Sequence, residues 1–179
     1  MKKTYIVLII TTLLLSLYTA YCQSVCSEFV RFRVIANSNS PYDQLVKIKL
    51  KDEILRLVCD EMIACETKDE ARNILAEKSY FISRYADNFL KAINYDAKVS
   101  VAFSKHFCPK KKYEGFTMPA GEYECFEIKI GNGAGRNFFC VMFPPACVSR
   151  EMTSEVCGKL NSRNIIYKFK IADILKKGD

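Results

Sequence analysis

From Val30 onward the chain alternates apolar and polar side chains, with Val30, Phe32, Val34 and Ala36 on one parity and Arg31, Arg33 and Ile35 on the other. That period of two predicts a strand with one buried face. Asn37-Ser38-Asn39-Ser40 breaks the pattern, and Ser40-Pro41-Tyr42-Asp43 predicts a helix start. Ser40 can cap free N–H groups, Pro41 suits the first turn, and Asp43 complements the positive end of the helix dipole. From Gln44 to about Ile63 apolar residues cover most of the circumference. Only Lys49, Glu53, Arg56 and Asp60 form a charged strip, with Lys49–Glu53 and Arg56–Asp60 at i,i+4 spacing. A helix this apolar is expected to be covered on more than one side.

Thr67-Lys68-Asp69-Glu70 matches a capping box and predicts a second helix. Its stripe of Ala71, Ile74, Leu75, Ile82, Tyr85, Ala86, Phe89 and Ile93 keeps helical spacing and reads as core. Asn94-Tyr95-Asp96 ends it. Alternation returns over Ala97, Val99, Val101 and Phe103, predicting another strand, followed by a long connection over 106–120. Further strands are expected at Glu122–Ile130 and Asn137–Phe143, joined through Gly131-Asn132-Gly133-Ala134-Gly135 as a hairpin turn. Phe138 to Phe143 is apolar on both faces, which predicts a central strand, and Pro144-Pro145 stops its pairing. The tail offers a short helix near Thr153–Leu160 and a strand at Ile165–Ile171. The order predicts an α+β fold: a mixed or antiparallel sheet of about four to five strands packed against two long helices, preceded by an N-terminal signal or anchor segment.

That segment has its own pattern. Lys2 and Lys3 precede an uncharged, mostly apolar run from Tyr5 to Tyr21, and the chain turns polar at Gln23 and Ser24. A basic start, an apolar middle of roughly 17 residues and small residues near Ala20 describe an export signal or a membrane anchor. The two lysines stay on the cytoplasmic side and send the rest across the bilayer. Cleavage after Ala20-Tyr21-Cys22, retention as an anchor and lipid modification of Cys22 are all open on these flanks. The expected organisation is residues 1–22 as signal or anchor and residues 23–179 as one exported domain.

Charge and cysteines narrow the classes further. Removing Lys2 and Lys3 from the 27 basic residues leaves 25 against 20 acidic, a net charge of +5 on the exported part. Lys110-Lys111-Lys112 and Lys176-Lys177 are its tight clusters and read as solvated loops or, less simply, as a surface for anionic lipid or cell wall. No Lys/Arg stripe interleaves with aromatics, which argues against nucleic acid. Of nine cysteines, eight lie beyond Cys22, an even number compatible with disulfides. Cys140 and Cys147 are the favoured pair, because the prolines between them can turn the chain back. Cys59 and Cys125 fall inside apolar patterns and read as small hydrophobes. With no C-x2-C pair and a single histidine, no metal site is expected.

Candidate chemistry is thin. His106 and Cys108 share a strand parity, so a cysteine nucleophile with a nearby base is conceivable, but nothing in the sequence orients the imidazole. Glu122, Glu124 and Glu127 offer acid/base partners but read as solvated. The glycine loop lies between strands and not before a helix, which argues against a phosphate cradle. No catalytic residue, cofactor or small-molecule substrate is expected, and an exported domain of this kind is better read as a ligand for another protein.

Two stretches resemble the stage II sporulation protein R family. One is Arg31-Phe32-Arg33-Val34-Ile35-Ala36-Asn37-Ser38-Asn39-Ser40, continuing through Asp43-Gln44-Leu45 and Lys47. The other comprises Tyr113-x-Gly115, Pro119-Ala120-Gly121-Glu122-Tyr123, Gly131-x-Gly133-x-Gly135-x-Asn137 and Cys140-Val141-x-Phe143-Pro144-Pro145-x-Cys147. The chain departs from the family pattern at Arg33, near which a histidine is usual, at Phe138-Phe139, where tryptophans stand, and at Ala146, where leucine stands. The resemblance implies a signal made in the forespore and exported into the space between the septal membranes. There it would activate the membrane-embedded aspartic protease of the mother cell, which processes a sporulation sigma-factor precursor. Receptor-contact candidates are Arg31, Arg33, Asn37, Asn39, Arg136 and Asn137. The asparagines serve equally to satisfy turn backbones, and the two β-strand arginines to form a solvated face. The alternative is a cell-envelope hydrolase acting on peptidoglycan through Cys108 or the glutamates.

Overall fold

The computed structural model describes residues 2–113 and 116–145. In chain order its elements are α1 (Lys2–Ser27), β1 (Val30–Ile35), α2 (Pro41–Ala64), α3 (Lys68–Ala92), β2 (Val99–Cys108), β3 (Lys111–Tyr113), β4 (Phe116–Met118), β5 (Gly121–Ile130) and β6 (Asn137–Phe143). The protein is α+β, as expected. Both caps form where the local sequence places them: Ser40 accepts a hydrogen bond from the Asp43 N–H, and Thr67 and Glu70 complete the capping box. The helical tail segment and the strand at Ile165–Ile171 expected from the sequence lie outside the described residues.

Four strands form a mixed sheet in the order β2-β5-β1-β6. β1 is central, parallel to β5 and antiparallel to β6, while β2 is antiparallel to β5. This overturns two expectations. Among the described residues β6 is an edge strand; its two apolar faces reflect cover above and below, not a central place. Residues 131–135 also do not close a hairpin, because β1 lies between β5 and β6. The glycine loop instead steps over the C-terminal end of β1. A third difference is length, since β2 continues through His106 to Cys108, and Lys111–Tyr113 and Phe116–Met118 pair antiparallel as β3 and β4 where a long connection was expected.

Strand alternation sends Val30, Phe32, Val34, Phe126, Ile128, Ile130, Cys140 and Met142 to one face, against Leu50, Ile54, Val58, Leu75, Ile82 and Leu90 of α2 and α3. Phe126 stacks against Phe32 at 6.4 Å and meets Phe103 at 5.3 Å. Burial of each such side chain stabilises the fold by about 2 kcal/mol. The charged strip of α2 pairs differently from its i,i+4 reading: Arg56 binds Glu53 at 3.0 Å, and Glu53 also accepts from the Tyr85 hydroxyl.

The second face is covered too. Val25, Cys26 and Phe29 pack there with Cys108, Met118, Tyr123, Cys125 and Val141. Cys26 presses so closely on Gly121 that its sulfur occupies the place a Cβ would take. α1 is therefore one helix with two environments: exposed through Ala20, then packed on the domain at Cys22, Val25 and Cys26. It is long and apolar enough to cross a membrane, as a signal or anchor segment is.

Candidate functional site

The glycine loop meets the asparagine loop where it crosses β1. The Asn37 carbonyl accepts from Ala134 N–H (3.0 Å), and Ala36 O accepts from Gly135 N–H (2.9 Å). Side chains complete the join: Asn37 Oδ1 accepts from Asn132 N–H at 3.0 Å, and Asn39 Oδ1 from Arg136 N–H at 2.8 Å. The start of α2 locks the same loops. Lys47 Nζ donates to the Arg136 carbonyl (3.1 Å) and to Gln44 Oε1 (2.7 Å), while Gln44 Nε2 donates to Ser38 O (2.9 Å). Asp43 receives Asn37 Nδ2 at 3.2 Å and the Tyr95 hydroxyl at 2.8 Å. Hydrogen bonds led by the Ser38 side chain, with those from Tyr95, Asn37 and Ser40 adding to it, hold its carboxyl below the ordinary range. Burial, with the Arg136 charge adding to it, lowers the Lys47 ammonium.

Around this clamp lies an exposed rim. Asn39, Arg136 and Asn137 are open to solvent, whereas Asn37 is partly buried and spent on the clamp. Beside them Tyr42, Leu45 and Ile48 are 53%, 50% and 40% exposed along one side of α2. The sequence reading expected α2 to be covered on more than one side, and this stretch escapes cover.

The other two sequence candidates point away from that rim. Arg31 is 1% exposed, with its guanidinium 5.2 Å from the Tyr123 ring and 5.5 Å from the Phe139 ring. It offers no surface to a partner and does not belong to a solvated face. Arg33 is half-buried, with Nη1 2.5 Å from Glu127 Oε2 and against the His106 ring. Glu127 also accepts from Ser104 Oγ at 3.2 Å and lies 2.7 Å from His106 Nε2. Arg33 Nη1 lies 2.5 Å from that same ring nitrogen, so Nε2 stands between a donor and an acceptor. Burial alone would raise the Glu127 carboxyl, but the Arg33 charge and the bonds from His106 and Arg33 leave it below the ordinary range.

The imidazole that looked unoriented in the sequence is thus held by Glu127, a partner 21 residues away. Cys108 nonetheless lacks the geometry of a nucleophile. A hydrogen bond with Cys125 lowers its thiol to about 6, outweighing burial, and the charges of Arg31 and Arg33 add to the effect. Yet the sulfur is buried, and its hydrogen-bond partners include Cys125, Arg31 and the His106 backbone carbonyl at 3.7 Å. Of the other acid/base candidates, Glu122 is exposed, and Glu124 faces the helices and binds Arg72 at 2.8 Å and Lys68 at 3.2 Å. Among the described residues no group of three or more His, Cys, Asp or Glu is placed to hold a metal ion. Cys140 is disulfide-bonded, and Cys147, expected to pair with it, lies outside the described residues. Cys59 and Cys125 are free, buried thiols.

Sequence reasoning gave Asp43 only a helix-dipole role and assigned none to Lys47, Gln44 or Tyr95, and it missed the clamp they build. Lys47, Asp43 and Gln44 stand in the quoted motif, and a lysine on the buried parity of a helix was the signal that it serves a specific acceptor.

Comparison with known proteins adds two findings. The family described as Stage II sporulation protein R (spore_II_R) matches residues 26–153. A Bacillus subtilis (strain 168) protein, "Stage II sporulation protein R", is 34% identical over 120 residues, covering 67% of this chain and 54% of that relative. The match thus spans about half the length of that curated relative. No solved structure matches the chain.

Proposed function

This chain belongs to the stage II sporulation protein R family and has a role in sporulation, and on that premise we propose that it is the exported trigger for a membrane-embedded aspartic protease that processes a sporulation sigma-factor precursor. It acts by contact, from the space between the two septal membranes, and makes or breaks no bond itself. The observation that carries this is the clamp. The two motif stretches converge on one end of the sheet, where most of their polar atoms hold each other and a small set stays open. Asn39, Arg136 and Asn137, with Tyr42 and Leu45 beside them, are the contact surface. Binding favours the active receptor state only to the extent that this surface fits that state better than the inactive one.

The hydrolase alternative has one observation in its favour, the His106–Glu127 contact on the strand that also carries Cys108, a thiol whose ionisation Cys125 and two arginines favour. Co-expression separates the two. This chain, the protease and the precursor are produced together in a non-sporulating host, and precursor cleavage is followed by immunoblot. Cleavage that requires this chain, survives Cys108→Ala and His106→Ala, and falls with Arg136→Glu supports the trigger. No cleavage, or cleavage abolished by Cys108→Ala with the fold intact, sinks it.

A further inference from the structure

The end of the sheet opposite the clamp has a chemistry that triggering does not use. Six residues separate Ala20, the last exposed residue of the apolar stretch of α1, from Cys26, about 9 Å along the helix. No linker intervenes, so a bilayer holding α1 lies directly against the part of the domain that receives Cys26. That part is identified by contact: Cys26 sits on Gly121, Gly121 pairs with Cys108, and Met118 closes the same cluster. Immediately beside it Phe107 is 73% exposed, a large ring standing in water. Lys105, Lys110 and Lys112 are exposed around it, and Lys111 reaches across to the Phe139 carbonyl at 3.3 Å. Among the described residues Glu28 and Glu122 are the exposed acids of this neighbourhood, fewer than the lysines.

An aromatic ring flanked by lysines is the pattern that settles at a membrane interface, the ring at headgroup level and the ammonium groups on anionic phosphates. We propose that the tip formed by Phe107 and Lys105, Lys110 and Lys112 is a second membrane contact, docking on the anionic phospholipid surface that α1 enters. The proposal rests on α1 lying in a bilayer and not on protease activation. It also fixes the domain's orientation. β5 spans about 30 Å from Gly121 to Ile130, so the clamp rim points away from the membrane that carries α1.

The chain contains no tryptophan, so Phe107→Trp supplies a single fluorophore at the tip. The full-length variant is reconstituted into vesicles of phosphatidylcholine alone or with phosphatidylglycerol, each with and without brominated acyl chains. Because α1 holds the chain to both kinds of vesicle, a difference between them reports the tip. The expected result is a blue-shifted emission quenched by bromolipid in the anionic vesicles. Added salt or the pair Lys110→Glu and Lys112→Glu should reverse both effects. Tyr42→Trp, at the far end, should show neither. Water-like, unquenched emission from the tip overturns the proposal, as does equal quenching in neutral vesicles or equal quenching at position 42. Any of these with precursor cleavage intact removes the membrane contact and leaves the trigger standing.

Discussion

Replacing Gly135 by alanine tests whether the join between the two loops is structural. A Cβ at this position would fall within van der Waals contact of the Ser38 carbonyl oxygen, 2.7 Å from its carbon and 2.9 Å from Ala36 Cβ. Ordinary carbon contacts are about 3.5–4.0 Å, so the loops must part by about an ångström. That opening takes the Gly135 N–Ala36 O bond (2.9 Å) and the Arg136 N–Asn39 Oδ1 bond (2.8 Å) past hydrogen-bonding distance. At about 1 kcal/mol each, the expected loss is about 2 kcal/mol. Gly133 is the internal comparison. Its added Cβ would press on the flexible Lys129 side chain and touch Ile35 at an ordinary 3.7 Å, leaving the cost of a positive φ of 64° in a non-glycine residue, about 1 kcal/mol. Urea denaturation at neutral pH, followed by circular dichroism, should place the Gly135→Ala midpoint about 1 M below the parent with an unchanged slope, and Gly133→Ala between them. A Gly135→Ala midpoint within error of the parent, or an inverted order, would refute the close approach on which the clamp depends.

Arg31→Ala should cost about 3 kcal/mol by the same assay, since it removes a buried side chain packed against two rings, and should reduce precursor cleavage only in proportion to unfolding. Arg136→Glu should do the reverse, abolishing cleavage with the midpoint unchanged or raised, because its charge lies near the buried Lys47 ammonium; a fall in both would show that Arg136 is structural. Leu45→Asp, on the exposed side of α2, should impair cleavage more than Asn39→Ala at equal stability, as apolar anchors outweigh rim contacts; co-expression immunoblots decide. Acid should destabilise the fold from about pH 4.5 downward. Asp43, Glu124 and Glu127 are all held below their ordinary range: Asp43 by hydrogen bonds led by Ser38 and Tyr95, and the glutamates by basic partners that outweigh burial. Each therefore contributes stability above its unfolded pKa and loses it as pH falls through the folded one. Urea midpoints measured from pH 7 to 3 should fall less steeply in Glu127→Gln.

What the sequence revealed and concealed divides along the range of the interaction. The boundaries of α2 and α3 were legible because Ser40, Pro41 and the Thr67–Glu70 box act within four residues. Strand β1 was legible as a strand, but Arg31 and Arg33 were not legible as interior. Period-two alternation says which side a residue faces, not what covers that side, and here the cover comes from the end of α1 and the β3–β4 pair. The same limit applies to β6, where that cover buries Val141 and partly buries Phe139 at what is, among the described residues, an edge of the sheet. A parallel β1–β5 pairing leaves no local trace either. Without it the 131–135 segment reads as a hairpin, and nothing links Asn37 to Asn132, 95 residues apart. His106 failed likewise, its orienting carboxylate lying on the neighbouring strand.

The division of labour between the two sheet faces bears on how such a protein can signal. Moving a receptor from almost wholly inactive to almost wholly active requires about 5.5 kcal/mol of differential binding. Three solvated polar side chains cannot supply that, because exposed polar contacts are worth little after desolvation. In the proposed trigger role the apolar side of α2, with Tyr42 held against Tyr95 at 5.7 Å, would supply the missing class of contact, and the clamp keeps Asn39, Arg136 and Asn137 in fixed register with it. Preorganisation of that kind lowers the ordering cost of binding, so on the proposed reading the motif atoms spent on the clamp would still raise the affinity of the exposed few. A loop-opening variant such as Gly135→Ala should therefore lose cleavage activity even in cells cold enough to keep it folded, whereas Arg31→Ala should recover on cooling.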